Sequence, residues 1–283
     1  MATFYNRATL SYNGRLTNSN QTEGELLEIL SITKTAISQS YGENDSVVYA
    51  VNLVNSGTTP ITNLSVTDDL GAYTVGATTV YPLSYSVGSV QLFINGILST
   101  APGVNVGPPL TFSGITLPAG ANATLLYEAD TNEFTPLSSG ATIENTVTVT
   151  ADGIAPITAT AEVSAENATN LTIAKAICPA VVTDNGQLTY TFIIQNSGNT
   201  EAIATDDIIV TDTFAPILNP ISVTYNDTPW TENTNYTYDE TTGAFATLPG
   251  QITVPAATYT QDPVTGVITT TPGVAIITVT GTV

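Results

Sequence analysis

The sequence predicts an all-β protein: two tandem β-sandwiches, the second lacking its last strand, plus an N-terminal donor strand outside both. Three observations lead there. Short period-two runs of Val, Ile, Thr and Tyr recur between Gly, Pro and Asn clusters, the pattern of half-buried strands joined by turns. One series of motifs occurs twice at a fixed separation. The second copy stops short of a strand that the first copy has, and a strand of that type stands at the beginning of the chain.

Composition narrows the function. The 283 residues suffice for two domains. Four basic against 24 acidic residues give a formal charge of −20, which repels phosphate backbones and anionic lipid surfaces, so neither nucleic acid nor membrane is expected as a partner. The chain has no His and one Cys, Cys178. His triads, His metal sites and multi-cysteine zinc sites are excluded, and no cofactor or metal is expected. With 42% hydrophobic and 10% charged residues, the chain should bury a proper core rather than remain disordered. Met1 to Leu10 shows no secretory-leader pattern, and no run approaches the roughly 20 apolar residues that span a bilayer. The expectation is a protein soluble when made, with any route outward independent of the usual leader.

In chain order, Met1 to Gly14 reads as a Thr-rich strand, followed by linker, so residues 1–24 form one segment. Glu23 to Leu30 is short and helix-like or linker. The first sandwich, 25–168, opens on a lead strand near Leu30. It continues through Ser46–Val54, Asn63–Leu70 and Ala123–Tyr127 to a closing strand within Gly140–Gly153. The second, 169–283, opens near Leu171 and contains Leu188–Ile194 and Val274–Val279. Lys34, Tyr49 and Asn55 recur as Lys175, Tyr190 and Asn196, each 141 positions on; after a three-residue insertion Asp68 recurs as Asp212. No second-copy counterpart of the closing strand exists. Instead, Met1–Gly14 aligns without gaps to Gly140–Gly153, with Ala2, Thr3, Asn6, Thr9 and Gly14 identical to Ala141, Thr142, Asn145, Thr148 and Gly153. One reading is a donor strand that completes the second sandwich of a neighbouring molecule. The other is a coincidentally similar strand pairing at the edge of its own first sandwich.

Alternate residues of a strand share a face. Lys34 lies with Leu30, Ile32 and Ala36, and Lys175 with Leu171, Ile173 and Ile177. Asp68 lies with Leu64, Val66 and Leu70, and Asp212 with Ile208, Val210 and Phe214. Asn145 lies with Ile143, Val147 and Val149, and Asn6 with Phe4, Ala8 and Leu10. Lys34 and Lys175 are the chain's only lysines. Burying such groups unpaired costs several kcal/mol or more. One chemistry accounts for all three types. A desolvated lysine loses its proton more easily, and its neutral amine can attack the Asn carbonyl while Asp shuttles protons, leaving a Lys–Asn isopeptide and ammonia. Lys34 and Asn145 would then link within the chain with Asp68 as catalyst. Lys175 would link to Asn6 of another chain with Asp212 as catalyst. Asp69 and Asp207 are alternative carboxylates if the register differs. Two plainer arrangements stay open: a satisfied Lys–Asp ion pair with Asn as hydrogen-bond partner, or a lysine reaching out to the sheet edge.

The motifs "LTIAKA", "TYTFIIQNSGNT", "VTDTF", "LPAG" and "ENTVTVTADG" resemble those of the bacterial surface-repeat family called domain of unknown function 11. The resemblance covers nearly the whole chain from Leu30. It implies Ig-like sandwiches in cell-surface stalks, adhesins and matrix proteins. Internal Lys/Asp/Asn isopeptides occur in collagen-adhesin-type domains, and the resemblance carries that chemistry to Lys34, Asp68 and Asn145. Two repeats, an acidic chain and no leader are also similar to subunits of clostridial spore appendages.

Acidic loops at Glu43–Asp45, Asp68–Asp69, Asp184–Asn185 and Asp206–Asp207 lack ordered calcium-loop spacing and read as solvated turns. Cys178 reads as a small buried residue at a strand end, or as half of an intersubunit disulfide. No nucleophile–base pair or phosphate cradle is visible, so an enzyme is not expected. The favoured function is a structural subunit polymerising head-to-tail into a filament. It would lie on an extracellular appendage or spore surface, with an unidentified anchor or tip protein. The alternative is a monomeric surface adhesin or matrix-binding module, though Trp230 is the single Trp and no aromatic platform is evident.

Overall fold

The computed structural model describes residues 2–26 and 29–283. The fold is all-β, with two separate hydrophobic cores. In the first module one sheet runs 97–98, 91–94, 122–131, 46–55, 30–36, and the facing sheet runs 103–105, 110–117, 61–68, 142–151, 154–165, 40–41. Period-two patterning builds the core between them. Ala123, Leu125, Tyr127 and Ala129 are buried from one sheet, and Leu64, Val66, Val147 and Val149 from the other.

The second module keeps one full sheet: 171–178, 187–196, 273–282, 221–225, 228–230. Its facing sheet has only three strands: 211–213, 244–247, 236–239. In the first module the strand Ile61–Asp68 is hydrogen-bonded on both sides, by 110–117 and 142–151. Its counterpart Thr211–Thr213 is bonded only to Ala244–Thr247 among the described residues. The closing pair, Thr142–Ala151 and Ile154–Ala165, has no equivalent in module two among the described residues.

That absence explains a contrast between the lead strands. Leu30–Ala36 buries Leu30, Lys34 and Ala36, whereas Leu171–Cys178 is exposed at every position. The inward face expected of Leu171, Ile173, Lys175 and Ile177 therefore lies open. Cys178 is likewise exposed rather than buried, because nothing stacks over this strand. A Thr258–Gln261/Ile268–Thr271 hairpin of module two reaches back to module one, where Ile268 N donates to Glu133 O at 2.8 Å and Gln261 Nε2 to the Tyr73 hydroxyl at 2.7 Å. No helix of the described residues is long and apolar enough to cross a membrane.

The N-terminal segment differs from the expected single strand and linker. Ala2–Asn6 pairs with Thr22–Leu26, and Thr9–Tyr12 with Arg15–Asn18, making one ribbon with its turn at Asn13–Gly14. Residues 15–24 are thus largely strand, not linker. The helix-like reading of Glu23–Leu30 fails at Thr22–Leu26, which is strand; Leu27 and Glu28, like Met1, lie outside the described residues. The ribbon pairs with itself and not with the edge of the first sandwich. Side chains from Thr3 to Glu23 are exposed, including Phe4, Leu10 and Leu16.

Candidate functional site: the buried Lys–Asp–Asn cluster and its open counterpart

In module one, three strands bring the expected residues together. Lys34 comes from the lead strand of one sheet, Asp68 and Asn145 from neighbouring strands of the other. Asp68 pairs with Val147, two residues from Asn145 on the same face, so the two are diagonal neighbours. Lys34 Nζ donates to Asp68 Oδ2 at 2.7 Å, and both side chains are fully buried. Lys34 therefore does not reach for the sheet edge. Asn145 is also fully buried, yet neither its amide nitrogen nor its oxygen has a hydrogen-bond partner. An orphaned buried polar atom costs about 1–3 kcal/mol, so Asn145 is not the satisfied partner of an ordinary ion pair.

Two tyrosines complete the cluster; the sequence reading gave neither a role. The Tyr127 hydroxyl donates to Asp68 Oδ2, and the Leu70 backbone N–H donates to Oδ1 at 2.6 Å. Tyr49 lies under Lys34, with Nζ 4.6 Å from its ring centroid, and stacks on Tyr127. Its own buried hydroxyl has no partner. Burial pushes both phenols above their ordinary range; the Asn145 side chain beside Tyr49 pulls that phenol the other way without making a well-aligned hydrogen bond, and the Asp68 charge adds to the rise of both. Burial also lowers the Lys34 pKa, against the opposing pull of Asp68. Parity within "ATLLYEA" was the available signal for Tyr127, which points inward with Leu125 and Ala129. Asp69, the alternative carboxylate, accepts from Gly71 N and Thr146 N and does not touch the lysine.

In module two, Lys175 again pairs with Asp212 and sits over Tyr190, 4.3 Å from its centroid. Here the lysine side chain is 40% exposed and the aspartate 19%, against 0% for both in module one. Asn6, on the exposed ribbon, pairs with Thr22 and is not brought to Lys175. Asp207, the other alternative, lies exposed beside a 3₁₀ turn. The two clusters also differ on the next strand: Tyr49 faces Tyr127 across the sheet, whereas Tyr190 faces Val279. Among the described residues no group of three or more potential metal ligands occurs. Trp230 stacks on Tyr225 at 5.0 Å.

The ribbon reproduces the closing pair of module one. Asn6 faces Thr22 and Asn145 faces Ala161, each 16 positions on. Thr3 faces Glu25 as Thr142 faces Ser164, and Tyr12 faces Arg15 as Ala151 faces Ile154. Both hairpins slip by one residue before the turn, the ribbon between Asn6 and Thr9 and the closing pair between Val149 and Ala151, so Thr9 and Leu10 pair one position off from Thr148 and Val149; Gly14 and Gly153 take similar positive φ, 72° and 73°.

No family model matches the chain, and no curated protein matches it. Among solved structures it is similar to the major pilin subunit BcpA of Bacillus cereus, at 13% identity and TM-score 0.38, covering 96% of this chain and 73% of that one. It is similar to the full-length major pilin SpaD of Corynebacterium diphtheriae, at 13% identity and TM-score 0.37, covering 58% of this chain and 41% of the pilin. The collagen-binding subdomain of the Enterococcus faecalis surface protein ACE aligns at 12% identity and TM-score 0.32, covering 50% of this chain and 99% of that one. The chain thus spans less than half of the SpaD pilin's length, and similarity at this level does not carry function across.

Proposed function

We propose that the chain is a structural subunit of a bacterial surface filament, in which the N-terminal hairpin of one copy closes the second module of the next. One observation carries this reading. Among the described residues module two has no closing hairpin, and a hairpin whose pairing follows that of the module-one closing pair at Thr3, Asn6 and Tyr12 stands apart from both sandwiches. An isolated two-stranded ribbon is marginal in water, and an uncovered sheet edge invites strand addition. A head-to-tail contact of this kind need not close, so it propagates.

Energetics favour docking followed by a covalent lock. Covering Phe4, Leu10, Leu171, Ile173 and Ile177, which are 37–59% exposed, contributes about half of the ~1.5–3 kcal/mol that full burial gives each, whereas association costs about 4–15 kcal/mol. Docking alone is therefore modest. At the junction, Asn6 would take the place that Asn145 has in module one, beside Lys175 and Asp212. Nζ attacks the Asn Cγ, a C–N bond forms, and the Asn amide nitrogen leaves as ammonia. The proton shed by Nζ passes through the aspartate to the leaving nitrogen, so no other reactant is needed. Lys34, Asp68 and Asn145 would run the same reaction within one chain. The end subunits then keep one free hairpin or one open module, the places for an anchor or tip protein. The resemblance to domain of unknown function 11, and to spore-appendage subunits, belongs to the same reading, with the filament on the cell or spore surface.

Deleting residues 1–26 tests it. Full-length protein should form fibres by electron microscopy and a ladder that survives boiling in detergent, and the truncated chain should stay monomeric. Truncated chains that polymerise equally well overturn the proposal.

A further inference from the structure

In module one the tip of the closing hairpin is fastened to the strand beside it. Asn63 Nδ2 donates to Asp152 Oδ2 at 2.6 Å. Asn63 sits in the left-handed region at φ 53°, which Asn and Asp tolerate better than other side chains. The repeat places Asp207 at the counterpart of Asn63, since Asp68 corresponds to Asp212. Asp207 likewise has a positive φ, 51°, though it caps the Ala204–Asp206 turn rather than lying within a strand. It is exposed, and among the described residues nothing hydrogen-bonds its carboxylate. The hairpin correspondence places Asn13 at the counterpart of Asp152. The Asn–Asp pair thus recurs with its two members exchanged.

Charge points the same way. The chain's two arginines, Arg7 and Arg15, are both on the ribbon, and neither pairs with an acid among the described residues. Arg15 lies two residues from Asn13, at the tip that would meet Asp206 and Asp207.

We infer that Asn13 of one copy and Asp207 of the next form an intersubunit clasp, flanked by Arg15, that sets the register of hairpin insertion. This rests on the filament reading and names the contact that makes a second copy of this chain the fitting partner. The Asn13 amide donates to the Asp207 carboxylate, a charge-assisted bond. Register matters because it brings Asn6 to Lys175 rather than to a neighbouring position.

The test is a cycle in the full-length protein: Asn13→Asp, Asp207→Asn and the two together, each followed by the initial rate of fibre formation at one concentration and low salt. Asn13→Asp sets two carboxylates against each other and should slow assembly about tenfold. Asp207→Asn leaves two amides that still bond, and should change the rate little. The double variant rebuilds the pair in the sense module one uses, and should return to within about twofold of wild type. Wild-type fibres with Asn13→Asp assembling at the same rate, or a double variant no faster than Asn13→Asp, overturn the clasp and leave the filament standing. Wild-type chains that never assemble overturn both.

Discussion

Replacing Asn145 by Leu separates two accounts of the buried cluster by the sign of the result. If no bond forms, Asn145 holds two orphaned polar atoms in the core. Exchanging them for apolar atoms of similar volume then removes a cost of about 1–3 kcal/mol per group, and module one becomes more stable. If the Lys34–Asn145 bond forms, the same change deletes a crosslink between residues 111 positions apart. Closing a loop of that length stabilises by about 5 kcal/mol on the chain-entropy account. For a module of this size that is a fall in Tm of about 10–20 °C. The bond also joins facing sheets, since Lys34 and Asn145 belong to different ones. Calorimetry of the full chain, with intact mass on the same samples, reads both quantities. The account predicts a wild-type mass short by one ammonia and a lower Tm for Asn145→Leu. A wild-type mass equal to the sequence mass, with a higher Tm for the variant, refutes it.

Other outcomes follow from the same geometry. In Asn145→Leu, Lys34 remains a free amine whose pKa is lowered by burial. Between that value and 10.5 the unfolded chain holds more protons than the folded one, so stability should rise with pH through this window and fall as pH drops through the lowered value. Urea titrations kept below pH 10 should show it, since Tyr49 and Tyr127, both raised, drive the opposite trend above. Crosslinked wild type should lack the Lys34 contribution. Tyr127→Phe removes a hydrogen bond to Asp68 and should slow ammonia loss in freshly made protein about tenfold or more, followed by mass against time; an unchanged rate removes Tyr127 from the reaction. Lys175→Ala should leave the module-one bond intact and abolish the detergent-resistant ladder.

Where strands carry strict alternation over a buried face, the sequence was readable to the residue. Lys34, Asp68 and Asn145 could be placed inward because apolar neighbours at even spacing reported the face, and the repeat marked Met1–Gly14 as similar to the closing strand of module one. The partner strand Ile154–Ala165 was not legible. Its inward face, Ile157, Ala159, Ala161, Val163 and Ala165, does alternate with polar residues, but three of the five are alanines and the first half stays only partly buried, so the hydrophobic signal was weak. Arg15–Leu26 was missed for the same reason, being exposed throughout its described side chains up to Gly24, which is half-buried. The N-terminal segment consequently read as one strand when it is a hairpin. Cys178 and Ile173 were misplaced for a different reason: parity tells which face a side chain takes, but not whether anything covers that face.

The most direct test mixes isotopically heavy and unlabelled subunits, lets them assemble, and maps the peptides of the boiled fibre. The account predicts linked peptides joining Asn6 of one subunit to Lys175 of another, with heavy–light pairs present in the proportion of mixing. Fibres whose Lys175 peptides are all unmodified, or whose Asn6–Lys175 links are only heavy–heavy and light–light, would contradict it.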